Sequence, residues 1–444
     1  MAKKLWQKTA ITFLGLVTTI SCGRIPQFNS FTPMLNPTMN IVGGFKTFTL
    51  KRNVPQTTRI LAGTKIDLTR TEILNLEQTY GIKFIKQVPM LKLAVFDSLR
   101  RDPSPIIVNM EKMPKFEYVE QEETLVIDDR PGKVVNGERN NADVNVFAAS
   151  TDPLIAKQWH LQTINAKTAW KVTEGEGITV AVVDTGVDLT HPDLKANLVP
   201  GYNAINQAEP IIDDVNHGTH VAGIIAAVKG NGIGGCGVAP RTKIMPIKAL
   251  GAGSGGAADV SEGIIWATDH KADVINLSLR FRPSWDAYKQ SNKTLKKAIT
   301  YALKHNVVVV CAMGNESVQE NATPAYLANK NGYTNLIAVG STTQKDEQSD
   351  FSNFGPWITL CAPGSDVLST IPTTEGADNY GEMSGTSMAT PVISGVAALI
   401  LSKTQKHDPA AVKAKLEKSV VDLGDKGFDI KFGYGRIDAA LTLK

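Results

Sequence analysis

The chain has 444 residues, 42% hydrophobic and 20% charged, which excludes a disordered or fibrous protein and fits a globular one. That length gives room for two domains, or for one large domain with extensions. A net charge of +4, with Lys and Arg spread along the chain, makes no case for a nucleic-acid partner.

The N-terminus reads as an export signal. Lys3, Lys4 and Lys8 precede an apolar run from Ala10 to Ile20, and small residues follow. The run is short for a membrane span. Cys22, directly after Thr19-Ile20-Ser21, resembles the lipidation site of a bacterial lipoprotein signal, although Leu is more usual where Thr19 stands. An ordinary secretory cut after Ser21 fits the same residues. Residues 1–22 are therefore read as a signal, and 23–55, rich in Pro, Asn, Phe and Thr, as a tether. Residues 56–127 carry a small α/β pattern: a helix over Thr71–Tyr80 and strands over Lys83–Lys86, Lys92–Phe96 and Pro114–Glu120. Residues 128–150 are polar with turn signals and read as a linker.

From 151 to 444 the texture changes. Continuous apolar strands are predicted at Ile178–Val183, Lys243–Ile247, Val274–Leu279, Val307–Cys311 and Leu336–Val339. Helices are predicted between them at Val221–Val228, Ala257–His270 and Lys293–His305. This alternation predicts an α/β fold, a mostly parallel sheet with helices on both faces. Functional residues in such folds gather at the carboxyl ends of the strands. Cys236, Cys311 and Cys361 sit in apolar contexts that suit buried free thiols; one disulfide with one free thiol is the other arrangement.

The stretch GEMSGTSMATPVISGVAALIL, from Gly381 to Leu401, reads as a buried helix from Val392 on, preceded by hydroxyls and glycines. Ser at a helix start is ordinarily an N-cap. The rest of the chain offers another role for Ser387. Asp184 is the first polar residue after an apolar strand, and His217 opens a small-residue helix. A serine needs a base to act as a nucleophile, a histidine has the matching pKa, and a buried aspartate fixes the imidazole. Asn315 follows Gly314 at a strand end, where its amide could donate to an oxyanion together with the Ser387 N–H.

VAVVDTGVD, HGTHVAG, AMGNES and GTSMATP, in this order, resemble the signature blocks of the subtilase family of serine proteases. The likeness runs from about Asp152 to the C-terminus. It implies a serine endopeptidase acting on polypeptides. Its base would be the first histidine of HGTHVAG, His217, leaving His220 structural and Asp188 outside the triad. The segment holding Gly253, Ser254 and Gly255 resembles the edge that pairs with an extended substrate. Ser278, Leu279, Arg280, Ala312 and Gly314 would line the same cleft. The resemblance also implies structural calcium at Asp152, Asp193, Val228, Asn231, Ile233 and Gly235, with one residue more than usual in the loop. Residues 56–127 resemble an inhibitor-type propeptide, which implies an intramolecular inhibitor removed by self-cleavage between about Leu125 and Ala149. A lipid on Cys22 would then tether the propeptide at the bacterial cell envelope, and processing would free the protease. The expected form is an exported monomer that meets a membrane only through that lipid.

Two features pull elsewhere. Gly251-Ala-Gly253-Ser-Gly255-Gly256 fits a dinucleotide fingerprint, but the acid that should follow, Asp273, begins a strand instead of ending one. Arg280 and Phe281 replace two glycines usual in the family, which leaves specificity open and keeps a peptide-binding module without cleavage as the alternative. An intact Asp184, His217, Asn315 and Ser387 set argues for the enzyme.

Overall fold

The computed structural model describes residues 39–42, 45–48, 58–100, 102–127, 129–135, 152–281, 292–319, 324–330, 332–373 and 379–444. The signal, Cys22, most of the tether and residues 136–151 lie outside the described residues. Among the described residues the largest element is a nine-stranded sheet. Its spatial order is Tyr202–Asn203, Lys243–Lys248, Thr179–Asp184, Val274–Leu277, Val308–Ala312, Ile337–Thr342, Leu360–Pro363, Arg436–Ile437 and Val420–Val421. Every pairing is parallel except the last, as the continuous apolar runs predict.

Strand periodicity divides the core in two. Val180 and Val182 point to one face, toward the helices His217–Ala226 and Thr386–Thr404. Ala181 and Val183 point to the other, toward Ala257–Asp269 and Lys293–Lys304. All four are fully buried. Each such valine contributes about 1.5–3 kcal/mol relative to exposure. Cys236, Cys311 and Cys361 are free and buried within these layers.

Residues 59–126 form a smaller layer. Strands Ile82–Val88, Leu93–Ser98, Arg59–Thr64 and Phe116–Gln121 make an antiparallel sheet in that order. Helix Arg70–Tyr80 starts at a capping box, with Thr69 and Glu72 satisfying each other's backbone N–H. One sheet face packs on Leu76, Ile106 and Met110 of its own helices. Leu61, Val88, Leu93 and Val95 of the other face join the core around helices Ala257–Asp269 and Lys293–Lys304.

Two elements differ from the sequence reading. The helix read from Val392 begins at Thr386, with Pro391 inside it. Pro391 lacks the N–H that would bond the Ser387 carbonyl, and Ser278 Oγ donates to that carbonyl instead at 2.8 Å. The polar linker opens with a strand, Arg130–Val135, which pairs antiparallel with Tyr380–Ser384. Main-chain bonds to a neighbouring strand hold it, so polar side chains do not prevent it.

Candidate active site

Asp184 is the last residue of a central strand, and His217 is the first of the next helix. Thr185 ties these ends together. Its hydroxyl donates to Asp213 Oδ1 at 2.9 Å and accepts from Gly218 N at 2.9 Å. Asp213 also accepts from Thr219 N at 2.8 Å. Gly218 permits this approach, since a Cβ there would sit 2.0 Å from the Gly186 carbonyl. His217 Nδ1 consequently lies 2.7 Å from Asp184 Oδ1, with both side chains out of solvent.

Asn315 follows the strand Val308–Ala312 and Gly314, whose φ is 99°. Its carbonyl oxygen accepts from Thr386 N at 2.8 Å and Thr386 Oγ1 at 2.9 Å. Gly314 N donates to the same hydroxyl at 3.0 Å. The amide Nδ2 is thereby turned into the site. Ser387 is the second residue of its helix, two positions past the cap Gly385, so it does not cap it. Its Oγ lies 3.5 Å from the Ser278 carbonyl. Ser278 Oγ points inward, accepting from Asn276 Nδ2 at 2.9 Å. Asp184 and His217 stand at the carboxyl edge of the sheet, and Asn315 and Ser387 stand at the same edge, linked to each other through Thr386. His220 turns away, its Nε2 3.0 Å from the Gly381 carbonyl, and burial pulls its pKa down to about 4. Asp188 is occupied by Thr190 and Thr373.

The cleft already holds a strand. Thr124–Val126 lies antiparallel between Ser254–Gly256 and Arg280–Phe281. Ile127 N donates to the Gly253 carbonyl at 3.1 Å. Glycines suit this edge: a Cβ on Gly256 would come 2.3 Å from Glu122 Oε1. The Leu279 side chain goes into the core, so it offers the cleft main chain only. Ala312 is buried at its strand end.

Sequence reasoning did not find the reach of Asp129, the partner of Arg280, or the contacts of Glu120, Glu122 and Lys86. Asp129 Oδ2 lies 2.5 Å from His217 Nε2, and Asp129 Oδ1 accepts from Asn315 Nδ2 at 3.0 Å. Burial opposes charging of His217, but Asp184 and Asp129 outweigh it and hold the imidazole pKa well above its ordinary value. Arg280 bridges to Glu316 at 2.5 Å, joining the segment that follows Ser278 to the one that follows Asn315. Glu120 accepts from Lys293 N at 2.8 Å, Thr294 N at 2.9 Å and Thr294 Oγ1 at 2.6 Å, and Glu122 accepts from Ala258 N at 2.9 Å. Two helix N-termini are therefore satisfied by carboxylates from residues 59–126. Lys86 adds ion pairs to Asp259 at 2.7 Å and Glu262 at 2.6 Å.

The predicted calcium residues converge at one loop. Asn231 Nδ2 donates to Asp193 Oδ1 at 2.6 Å, and Gly230 N to Asp152 Oδ2 at 2.8 Å. Ile233 N donates to Asn231 Oδ1 at 3.0 Å, and Val228 N to the Asp193 carbonyl at 2.9 Å. Gly235 packs on Gln158. Burial, with Asp152 adding repulsion, pushes Asp193 up to about 7. Two buried carboxylates repelling across an oxygen-rich loop suit a hard dication. Among the described residues no cluster of three His, Cys, Asp or Glu forms, so amide and carbonyl oxygens would complete such a site.

Comparison with known proteins agrees with this geometry. A model described as the subtilase family matches residues 175–435. The chain is 41% identical over 275 residues to a thermophilic serine proteinase of Bacillus sp. (strain AK1), covering 61% of this chain and 63% of that protein. It is 38% identical to thermitase of Thermoactinomyces vulgaris over 290 residues, covering 65% of this chain and 96% of thermitase. The crystal structure of fervidolysin from Fervidobacterium pennivorans, described as a keratinolytic enzyme related to subtilisin, superposes with a TM-score of 0.71 at 29% identity. That superposition covers 89% of this chain and 62% of fervidolysin. The chain spans under two thirds of the Bacillus proteinase and of fervidolysin, but nearly all of thermitase. With its strand-end constellation and these matches, the chain belongs to the subtilase family of serine proteases.

Proposed function

We propose that this subtilase is an exported endopeptidase made as a self-processing precursor. Asp184 orients His217, His217 takes the proton of Ser387, and Ser387 attacks the peptide carbonyl. Asn315 Nδ2 and the Ser387 N–H hold the oxyanion, His217 returns the proton to the leaving amine, and water releases the acyl-enzyme. Extended polypeptide docks by strand addition between Gly253–Gly255 and Ser278–Arg280, beside Ala312 and Gly314. The observation that carries this reading is the chain's own strand Thr124–Val126, paired in the cleft beside the Asp184–His217 pair. Residues 56–127 act as inhibitor until cleavage between Leu125 and Ala149. Lys3 to Cys22 direct export, by a secretory cut or by lipid on Cys22. Calcium, held by Asp152, Asp193, Asn231 and the loop carbonyls of Val228, Ile233 and Gly235, would neutralise the two carboxylates and brace the fold.

The test is intact mass and N-terminal sequence of wild type beside Ser387→Ala. The expected result is wild type cut within residues 125–149, with the mutant uncut past the signal. Equal cutting in both, or none in either, overturns the proposal.

A further inference from the structure

We propose that the Asp129 carboxylate is an inhibitor built into the uncut chain, which occupies His217 and Asn315 together and keeps Ser387 idle until it leaves. This rests on the self-processing reading above and adds how the precursor is held off.

The geometry singles out Asp129. Its side chain is 3% exposed, and it touches the two groups the reaction needs. Oδ2 lies 2.5 Å from Nε2 of His217, the nitrogen that must receive the Ser387 proton. Oδ1 accepts from Nδ2 of Asn315, the donor reserved for the oxyanion, at 3.0 Å. Main-chain pairing fixes the approach on both sides. Ile127 N bonds the Gly253 carbonyl, and Arg130 pairs with Ser384. Gly385 makes the space, since a Cβ there would fall 1.8 Å from Asp129 Oδ1.

The chemistry follows from charge. An imidazole between two carboxylates, Asp184 on Nδ1 and Asp129 on Nε2, is held as imidazolium. It then has no lone pair with which to accept a proton. The other ionisable groups packed nearby do not offset this. His220, next along the same helix, and His160 beyond it are kept neutral by burial, at about 4 and about 3. Asp213 is engaged by Thr185 and Thr219. Across the cleft, Arg280 and Glu316 face each other. A neutral side chain at position 129 would leave His217 with one carboxylate, the arrangement a general base needs.

The experiment uses the full-length precursor as wild type, Asp129→Asn and Asp129→Ser. A fluorophosphonate labels Ser387 in the uncut band over a range of pH, and mass spectrometry times the cut. The expected result is faster labelling and faster cutting in both variants. The labelling midpoint should also fall by about one pH unit or more, a tenfold change in neutral imidazole at a given pH. A merely loosened strand would speed labelling without moving that midpoint. The wild-type chain gives the same comparison with no substitution: the midpoint of its uncut band should lie above that of the cut enzyme. Ser387-dependent cutting at the wild-type rate with unmoved midpoints overturns the Asp129 proposal alone. No labelling and no Ser387-dependent cutting in any chain overturns the protease reading and this proposal with it.

Discussion

Replacing Ser278 with alanine tests how Ser387 is seated. Pro391 has no N–H for the Ser387 carbonyl, and Ser278 Oγ fills that position at 2.8 Å while accepting from Asn276 Nδ2 at 2.9 Å. Ser278→Ala strands two buried polar groups, each costing about 1–3 kcal/mol. The combined loss is about 2–6 kcal/mol. For a unit of this size roughly 2 °C accompanies each kcal/mol, so Tm should drop by about 4–12 °C. The assay is calorimetry in a Ser387→Ala background, which removes self-cleavage and keeps the main-chain carbonyl. Pro391→Ala should restore an N–H four residues after Ser387, so the double variant should recover about 1 kcal/mol or more. A Tm within about 1 °C of the parent for Ser278→Ala, or strictly additive losses in the double variant, would refute the account.

Docking of residues 59–126 should weaken with rising pH. Burial first, with Asp259 behind it, pushes Glu122 up to about 7; burial and then Glu120 push Glu123 up to about 8. Groups with raised pKa values favour the docked state below the ordinary glutamate value and lose that contribution as pH climbs through 7 and 8. Gel filtration of the cut chain at pH 5.5 and pH 9 should show co-elution only at the lower value, and equal co-elution at both would refute it. Chelation should lower the Tm of wild type by several degrees and leave Asp193→Asn unmoved, because the variant lacks the carboxylate that would bind the dication. An unshifted wild-type Tm counts against a tight calcium site.

The large sheet was legible because its strands are buried on both faces and read as unbroken apolar runs. The places of Asp184, His217 and Asn315 at strand and helix ends were legible from such runs, whereas their grouping with Ser387 came from the resemblance of the four blocks to the subtilase family. The start of the Ser387 helix was hidden by Pro391 and its hydroxyls, which read as a loop until Ser278 supplies the missing donor. The strand Arg130–Val135 left no pattern, since its partner is the backbone of Tyr380–Ser384. Arg280 stood out as a departure, but Glu316 lies on a different loop and spacing could not pair them. Asp129 looked like one more acid in a polar stretch; only the two ladders flanking it aim it at His217.

The carboxylates of Glu120 and Glu122 also bear on how fast the fold is reached. Helix Ala257–Asp269 has Gly256 at its cap and helix Lys293–Lys304 has Asn292, neither with a side-chain bond to the N–H groups of its helix. Both border the central strands, where Val180 pairs with Val274 more than ninety residues away. Contacts so distant in sequence form slowly, because loop closure precedes any gain from packing. Were residues 59–126 to fold first, they would present both helix ends with their missing acceptors before that closure and lower the barrier to assembly. A chain that then lost them would keep the high barrier in the other direction. Its persistence is then governed by a lifetime set by the unfolding rate, and is poorly described by an equilibrium constant.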